Sequence, residues 1–349
     1  MTPLEALNRV VYLMDRSLAP AEKVRAFAKA AQVVAALAPG ELEERVAAGT
    51  LTDLPGIGKS TAAVIVQALD GQVPDRVAQL EATTEVPLSQ AGMPYREALR
   101  GDCHAHSLWS DGGATIELMA RTAMALGHEY LVMTDHSPRL TVAHGLTAPR
   151  LREQLAEIRI LNERLAPFRI LTGIEVDILE DGSLDQDEAL LAELDVVVAS
   201  AHSKLRMDRT AMTRRLVLAA ASPHVDILGH CTGRKLRSTV AQVGSDPELV
   251  RPESAFDPDL VFAACARFDT AVEINCRPER QDPPDRLLEQ ALDWDCKISI
   301  DTDAHAPGQL EWQRLGCDKA ARHDIAIDHI VNTWPADQLI EWAASHPTD

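Results

Sequence analysis

Aromatic residues are scarce in this 349-residue chain, at only 4%. Trp109, Trp294 and Trp312 stand far apart, so no row of rings offers a stacking platform for single-stranded nucleic acid. Six cysteines (103, 231, 265, 276, 296 and 317) include no Cys-X-X-Cys pair, which argues against a zinc knuckle and a disulfide framework. No apolar run is long enough to span a bilayer, and no membrane partner is expected. The opening Met-Thr-Pro-Leu-Glu-Ala has neither the basic nor the apolar region of a signal peptide, so the expected compartment is the cytoplasm. Positive charge is also short: 34 Lys and Arg face 53 Asp and Glu, a net charge of -19. Such a chain repels nucleic acid at long range, which counts against a DNA-coating role but permits a local basic patch.

Histidine, in contrast, falls in patterned places. Residues 101–112 read Gly-Asp-Cys-His-Ala-His-Ser-Leu-Trp-Ser-Asp-Gly. On a strand, His104 and His106 share a face, and two imidazoles aimed into one space can hold a divalent ion. Asp111 adds a carboxylate, and Gly112-Gly113 lets the chain turn there.

Residues 1–85 predict a small helical domain. Leu4, Leu7, Val11 and Met14 recur at helical spacing, as do Val24, Phe27, Ala28 and Ala31. Leu54-Pro-Gly-Ile-Gly-Lys-Ser60 between two short helices has the form of a helix-hairpin-helix. Gly56, Gly58 and Lys59 are its candidates for meeting a DNA phosphate at the start of the following helix. A plain turn between helices explains the glycines equally well, and residues 1–80 hold eight basic against nine acidic side chains. Gly58-Lys-Ser60 is not the end of a P-loop, because Asp53 occupies the position of the first glycine. Residues 86–96 lack periodicity and predict a linker. No internal repeat and no low-complexity tract is present.

From 97 to 345, short apolar strands alternate with amphipathic helices. Strands are expected at 101–106, 130–134, 170–176, 196–199, 227–230, 271–274 and 297–300, with helices such as 116–126, 150–165 and 260–267 between them. Seven such alternations predict an α/β fold, a parallel (β/α)-type barrel. In such barrels chemistry sits at the C-terminal strand ends, and there the chain places polar groups repeatedly. His104, His106, Asp111, His136, Glu175, His202, His230, Asp303 and His305 all fall at or just beyond strand ends. Any one alone could merely cap a backbone group. Gathering all of them is costly unless cations balance the set. Nine ligands exceed the needs of one ion and suit two or three, and imidazole with carboxylate suits Zn, Mn or Fe. Two ions about 3.5–4 Å apart can activate water for in-line attack on phosphorus.

The series Asp102-Cys-His-Ala-His, Thr134-Asp-His-Ser, Gly173-Ile-Glu-Val-Asp, Ser200-Ala-His-Ser, Gly229-His and Asp301-Thr-Asp-Ala-His resembles the PHP (polymerase and histidinol phosphatase) domain. It is most similar to the version at the C-terminus of bacterial family X DNA polymerases, as are Gly233-Arg234, Glu273-Ile-Asn275 and Pro278-Glu-Arg280. The resemblance implies a distorted (β/α)7 barrel at 97–345 with three divalent metal ions. It implies His104, His106, Glu175 and Asp303 around the first, Glu175, His202 and His230 around the second, and Asp111, His136 and His305 around the third. Glu175, Asp303 and Arg234 become the catalytic candidates, and Lys204, Arg234 and Arg280 the candidates for gripping a substrate phosphate. Asp135 or Asp177 could orient ligands, and Cys103 and Cys231 are expected as packed small residues.

The helical domain resembles the one that opens family X polymerases, yet no room remains for a polymerase palm between residues 85 and 100. The lysine some members use for lyase chemistry corresponds to Val64, so that chemistry is not expected. The expected activity is hydrolysis of phosphate esters at DNA 3′ ends in repair, as a 3′–5′ exonuclease or 3′-phosphatase, with DNA ends or gaps as partners. The alternatives are a small-metabolite phosphatase of the histidinol-phosphate type and a non-catalytic DNA-end-binding protein.

Overall fold

The computed structural model describes residues 1–243 and 247–347. The chain divides into two compact units, Met1–Val86 and Pro87–Asp349.

The first unit is all helical: α1 (Pro3–Arg16), α2 (Ala21–Ala36), α3 (Glu41–Ala47), α4 (Lys59–Leu69) and α5 (Asp75–Thr83). Thr2 starts α1 with a capping box, its hydroxyl taking the Glu5 amide while the Glu5 carboxylate takes the Thr2 amide. The buried face is rotated from the expected one. Val10 and Leu13 join Leu7 and Met14 in the core, while Leu4 and Val11 lie at its edge. Between Leu54 and α4 the chain turns at Gly56 with φ +100°, where a Cβ would press on the Lys29 and Val33 side chains. Gly58 is open on its Cβ side, Lys59 is exposed, and Val64 is buried in the core.

The second unit opens with α6 (Met93–Ala98). It continues through β1 (Gly101–Ala105), α7 (Ile116–Ala125), β2 (Tyr130–Met133), α8 (Ala148–Leu165), β3 (Arg169–Asp177), α9 (Glu188–Leu191), β4 (Val196–Ser200), α10 (Arg209–Ala220) and β5 (Ile227–Leu228). A two-stranded antiparallel hairpin, β6 (Lys235–Arg237) with β7 (Glu248–Arg251), interrupts the alternation. Then come α11 (Pro258–Phe268), β8 (Ala271–Asn275), α12 (Asp285–Asp293), β9 (Ile298–Asp301), α13 (Gln313–Arg322) and α14 (Ala336–Ala343).

Seven strands pair in parallel in the order β1-β2-β3-β4-β5-β8-β9. The two edges meet through the Ala105–Ala304 bridge and the Cys103 amide donating to Asp301 at 2.8 Å, so the sheet closes into a nearly complete barrel. Strand alternation divides the packing. Leu131 and Met133 face Met119, Ile158 and Leu161 of the surrounding helices, whereas Tyr130, Val132, Leu171 and Val198 join Leu339 and Trp342. α14 sits at the N-terminal strand ends, where Asp337 pairs with Arg169 and Trp342 donates to Asp269. The opposite end is left for polar groups.

The segment expected as a linker is held in place from Ser89 onward. The Ser89 amide and hydroxyl both donate to the Asp318 carboxylate on α13, and Gly92 approaches that carboxylate so closely that a Cβ would overlap it. Such a long-range contact leaves no periodic trace in sequence.

Candidate metal centre

Every strand of the barrel delivers a polar side chain to the C-terminal end. His104 and His106 leave β1 on one face and are fully enclosed. The chain then turns through Ser107–Gly112, where a Cβ on Gly112 would strike the Ser107 backbone. Asp135, after β2, pins this turn. Its carboxylate accepts the Ser107 and Ser110 amides (2.8 and 3.1 Å), both serine hydroxyls and the Gln154 amide group. Asp111 is thereby held over the barrel mouth. His230 and Asp303 sit at φ 21° and 52°, left-handed backbone that non-glycine residues adopt mainly where surroundings enforce it.

Glu175 on β3 is the centre of the set. Its Oε2 lies 3.4 Å from His104 Nε2, 3.6 Å from His106 Nε2 and 2.8 Å from His136 Nδ1. Its Oε1 lies 2.8 Å from His230 Nε2 and 3.2 Å from His202 Nε2. Asp303 Oδ1 is 3.3 Å from His106 Nε2, and Asp111 Oδ1 is 3.5 and 3.4 Å from the Nε2 atoms of His136 and His305. The nine side chains named from sequence therefore meet in one place.

The arrangement fits cations. The buried Nε2 atoms of His104, His106 and His202, together with Glu175 Oε2, have no hydrogen-bond partner, a costly state for polar atoms unless something electron-poor takes their lone pairs. Ligand atoms from His106, Asp111, His136 and His305 lie within 4.8 Å of one another, as do those from His104, His106 and Glu175 and from His136, Glu175 and His202. No cysteine joins these groups among the described residues, and Cys103 and Cys231 are buried thiols.

Electrostatics within the cluster favour ionised carboxylates. Burial pushes the Glu175 carboxyl up, but His202, His104 and His136 outweigh it and hold the group well below the usual range. Asp303 behaves likewise, with the adjacent His106 ring and the Arg280 guanidinium overcoming burial. Burial, reinforced by His305 and His136, keeps His106 neutral, the form that ligates.

Two orienting residues complete the frame. Asp177 accepts the His202 amide at 3.0 Å and lies 3.4 Å from its Nδ1. Glu273 on β8 was not assigned a role from sequence. Its Oε1 contacts His104 Nδ1 at 2.6 Å, which turns Nε2 toward Glu175, and its Oε2 accepts the His230 amide at 2.5 Å. A carboxylate inside the apolar run Ala271–Asn275 was the available signal.

The cleft above the cluster, about 220 Å³, is lined on one side by arginines. Arg280 Nε donates to Asp303 Oδ2 at 3.0 Å, and Arg234 Nε to the Arg280 carbonyl at 2.9 Å. Arg277 was also missed; its Nη1 lies 3.1 Å from His305 Nδ1. Lys204, offered from sequence as a phosphate ligand, is not among the lining residues. It is exposed and 3.8 Å from Glu180, because a left-handed turn at φ 54° carries it outward.

Fold and site together define a metal-binding barrel of the phosphoesterase type. Residues 102–233 match the family model of the PHP domain, so this chain carries a PHP domain. It is 37% identical over 234 residues to the DNA polymerase/3′-5′ exonuclease PolX of Bacillus subtilis (strain 168), an alignment covering 67% of this chain and 39% of that protein. The chain thus spans about two fifths of that relative's length. A probable phosphatase of Thermoanaerobacter sp. (strain X514) is 29% identical over 216 residues, covering 58% of this chain and 78% of that protein. The crystal structure of histidinol phosphate phosphatase from Lactococcus lactis, complexed with Zn, L-histidinol and phosphate, covers 64% of this chain and 93% of its own at 18% identity and a TM-score of 0.42.

Proposed function

We propose that the chain is a metal-dependent phosphoesterase that hydrolyses phosphate esters at DNA 3′ ends, as a 3′–5′ exonuclease or 3′-phosphatase. The observation that carries this reading is the gathering of nine candidate ligand side chains, five of them histidines around Glu175, at one barrel end beneath an arginine-lined cleft. His104, His106, Glu175 and Asp303 would hold one divalent ion, Glu175, His202 and His230 a second, and Asp111, His136 and His305 a third. Such ions activate water at neutral pH and polarise phosphoryl oxygens. The protein's own part is to position and to neutralise. Glu273 fixes the ring of His104, Asp177 holds the His202 amide beside its ring, and Asp135 fixes the loop bearing Asp111. Arg280 and Arg277, at the wall of the cleft, grip the phosphate oxygens and stabilise charge as the ester bond breaks. Support for DNA as substrate comes from the exonuclease named in the Bacillus relative and from the glycine turn at Leu54–Gly58 before α4, where Gly56, Gly58 and Lys59 are exposed.

The test incubates the protein and Mn²⁺ with a labelled gapped duplex ending in a 3′-hydroxyl or 3′-phosphate, beside His106→Ala. Shortening or phosphate loss that disappears in the variant is expected. An intact duplex with hydrolysis of an aryl phosphate would replace this reading with a metabolite phosphatase.

A further inference from the structure

The cleft rim is strongly basic in a protein of net charge -19. Five cations line it, Arg234, Lys235, Arg251, Arg277 and Arg280, against one acid other than Asp111, namely Glu279. A single phosphate over a metal cluster does not need five. Three are already engaged near the cluster: Arg280 on Asp303, Arg277 on Asp303 and His305, and Arg234 on the carbonyls of residues 280 and 281.

The other two stand on the β6–β7 hairpin, which is no part of the barrel sheet. There Lys235 and Arg251 are paired directly across the ladder. Like charges opposite one another destabilise a strand pair, so the hairpin's own folding does not account for them. Of the two, Glu279 approaches the lysine, at 3.6 Å, and shares its other oxygen with Arg277 at 3.4 Å. The Arg251 Nε donates to the Gly233 carbonyl at 2.6 Å, which fixes the guanidinium plane, and its Nη1 and Nη2 have no partner among the described residues. Burial, and after it the neighbouring Arg280 charge, holds Arg251 below the usual arginine range. The fork is thus pre-set, and its two free donors suit a phosphate.

We propose that Lys235 and Arg251 form a second phosphate site, which takes the phosphodiester adjoining the one at the metal cluster, so that the substrate is a nucleic-acid strand and not a lone phosphate monoester. The placement of the reacting phosphate rests on the phosphoesterase reading above; the binding of a second phosphate at the hairpin does not.

Two arms separate them. In the first, the protein as purified binds a fluorescent, phosphorothioate-linked oligothymidylate of eight nucleotides, followed by anisotropy between 50 and 200 mM salt. Arg251→Ala and Lys235→Ala are each expected to weaken binding about tenfold, the loss of one charge-assisted contact. Each should also reduce the slope of log affinity against log salt by about 0.7. Unchanged affinity and slope in both variants would overturn the proposal. Should Arg251→Ala fail to fold, Lys235→Ala decides, since Lys235 is exposed. In the second arm, with Mn²⁺, the ratio of KM on the unmodified oligothymidylate to KM on p-nitrophenyl phosphate is expected to rise about tenfold in Arg251→Ala. An equal rise on both substrates would place Arg251 at the reacting phosphate and overturn the second site. If the wild type hydrolyses neither substrate, the phosphoesterase reading fails and the binding arm alone judges the hairpin site.

Discussion

Replacing Glu273 by glutamine tests whether the metal centre depends on a residue outside the nine candidate ligands. The two carboxylate oxygens of Glu273 do different work. Oε1 holds His104 Nδ1 at 2.6 Å, and Oε2 accepts the His230 amide at 2.5 Å and the Asn275 side-chain amide at 3.2 Å. A glutamine has one carbonyl oxygen. Whichever way it turns, its NH₂ group is set against a donor, and either His104 or His230 loses its support. Loss of a partner that orients a ligating histidine weakens metal binding by about 10–100-fold, or about 1.4–2.7 kcal/mol of metal-linked stabilisation at saturating metal. At about 2–4 °C per kcal/mol for a unit of this size, the metal-dependent rise in Tm should shrink by about 3–11 °C. The assay is differential scanning calorimetry with excess Mn²⁺ and with EDTA, comparing increments and not absolute midpoints, so that any direct effect on folding cancels. Metal content after dialysis gives an independent reading. An undiminished increment with full metal content would refute the reasoning and make Glu273 a packing residue.

Asp135→Asn replaces an anion that gathers five hydrogen bonds from Ser107, Ser110 and Gln154. It should raise the Mn²⁺ concentration for half-maximal activity by about tenfold, read from a metal titration. Lys204→Ala should change KM for any phosphate ester less than twofold, because its exposed ammonium lies near Glu180 and outside the cleft. In the helical unit, burial raises the Asp15 carboxyl from 3.8 to about 7. The proton is held more tightly in the folded than in the unfolded chain, so the stabilisation is full below about pH 4 and lost as pH rises toward 7. Hydrogen-exchange protection of α1 should accordingly be lower at pH 8 than at pH 5, and Asp15→Asn should remove the difference.

The ligand positions were legible because two independent signals coincide at each. A short apolar strand fixes where the barrel rim falls, and a His, Asp or Glu at its end marks the chemistry. Helices were legible from apolar spacing, so 116–126 and 260–267 lie close to Ile116–Ala125 and Pro258–Phe268. Side-chain direction was not. The charge of Lys204 can be read from sequence, but the left-handed turn that points it toward solvent depends on the whole loop. Glu273 and Arg277 were obscured for the opposite reason, since their partners lie 169 and 28 positions away. The β6–β7 hairpin escaped notice because Lys235–Arg237 is too short, and too charged, to carry a strand period.

The barrel's seam has a bearing on when the site comes into being. β1 and β9 meet through Ala105–Ala304, about two hundred positions apart in the chain, and the residues flanking that seam are His104, His106, Asp303 and His305. The seam that closes the cylinder thus also brings the two ends of the candidate ligand set together. A nascent chain emerging from the ribosome has two of these histidines early and Glu175 midway, but it gains Asp303 and His305 only after nearly the entire barrel has been made. No chain that stops short of β9 therefore holds all nine of the candidate ligands.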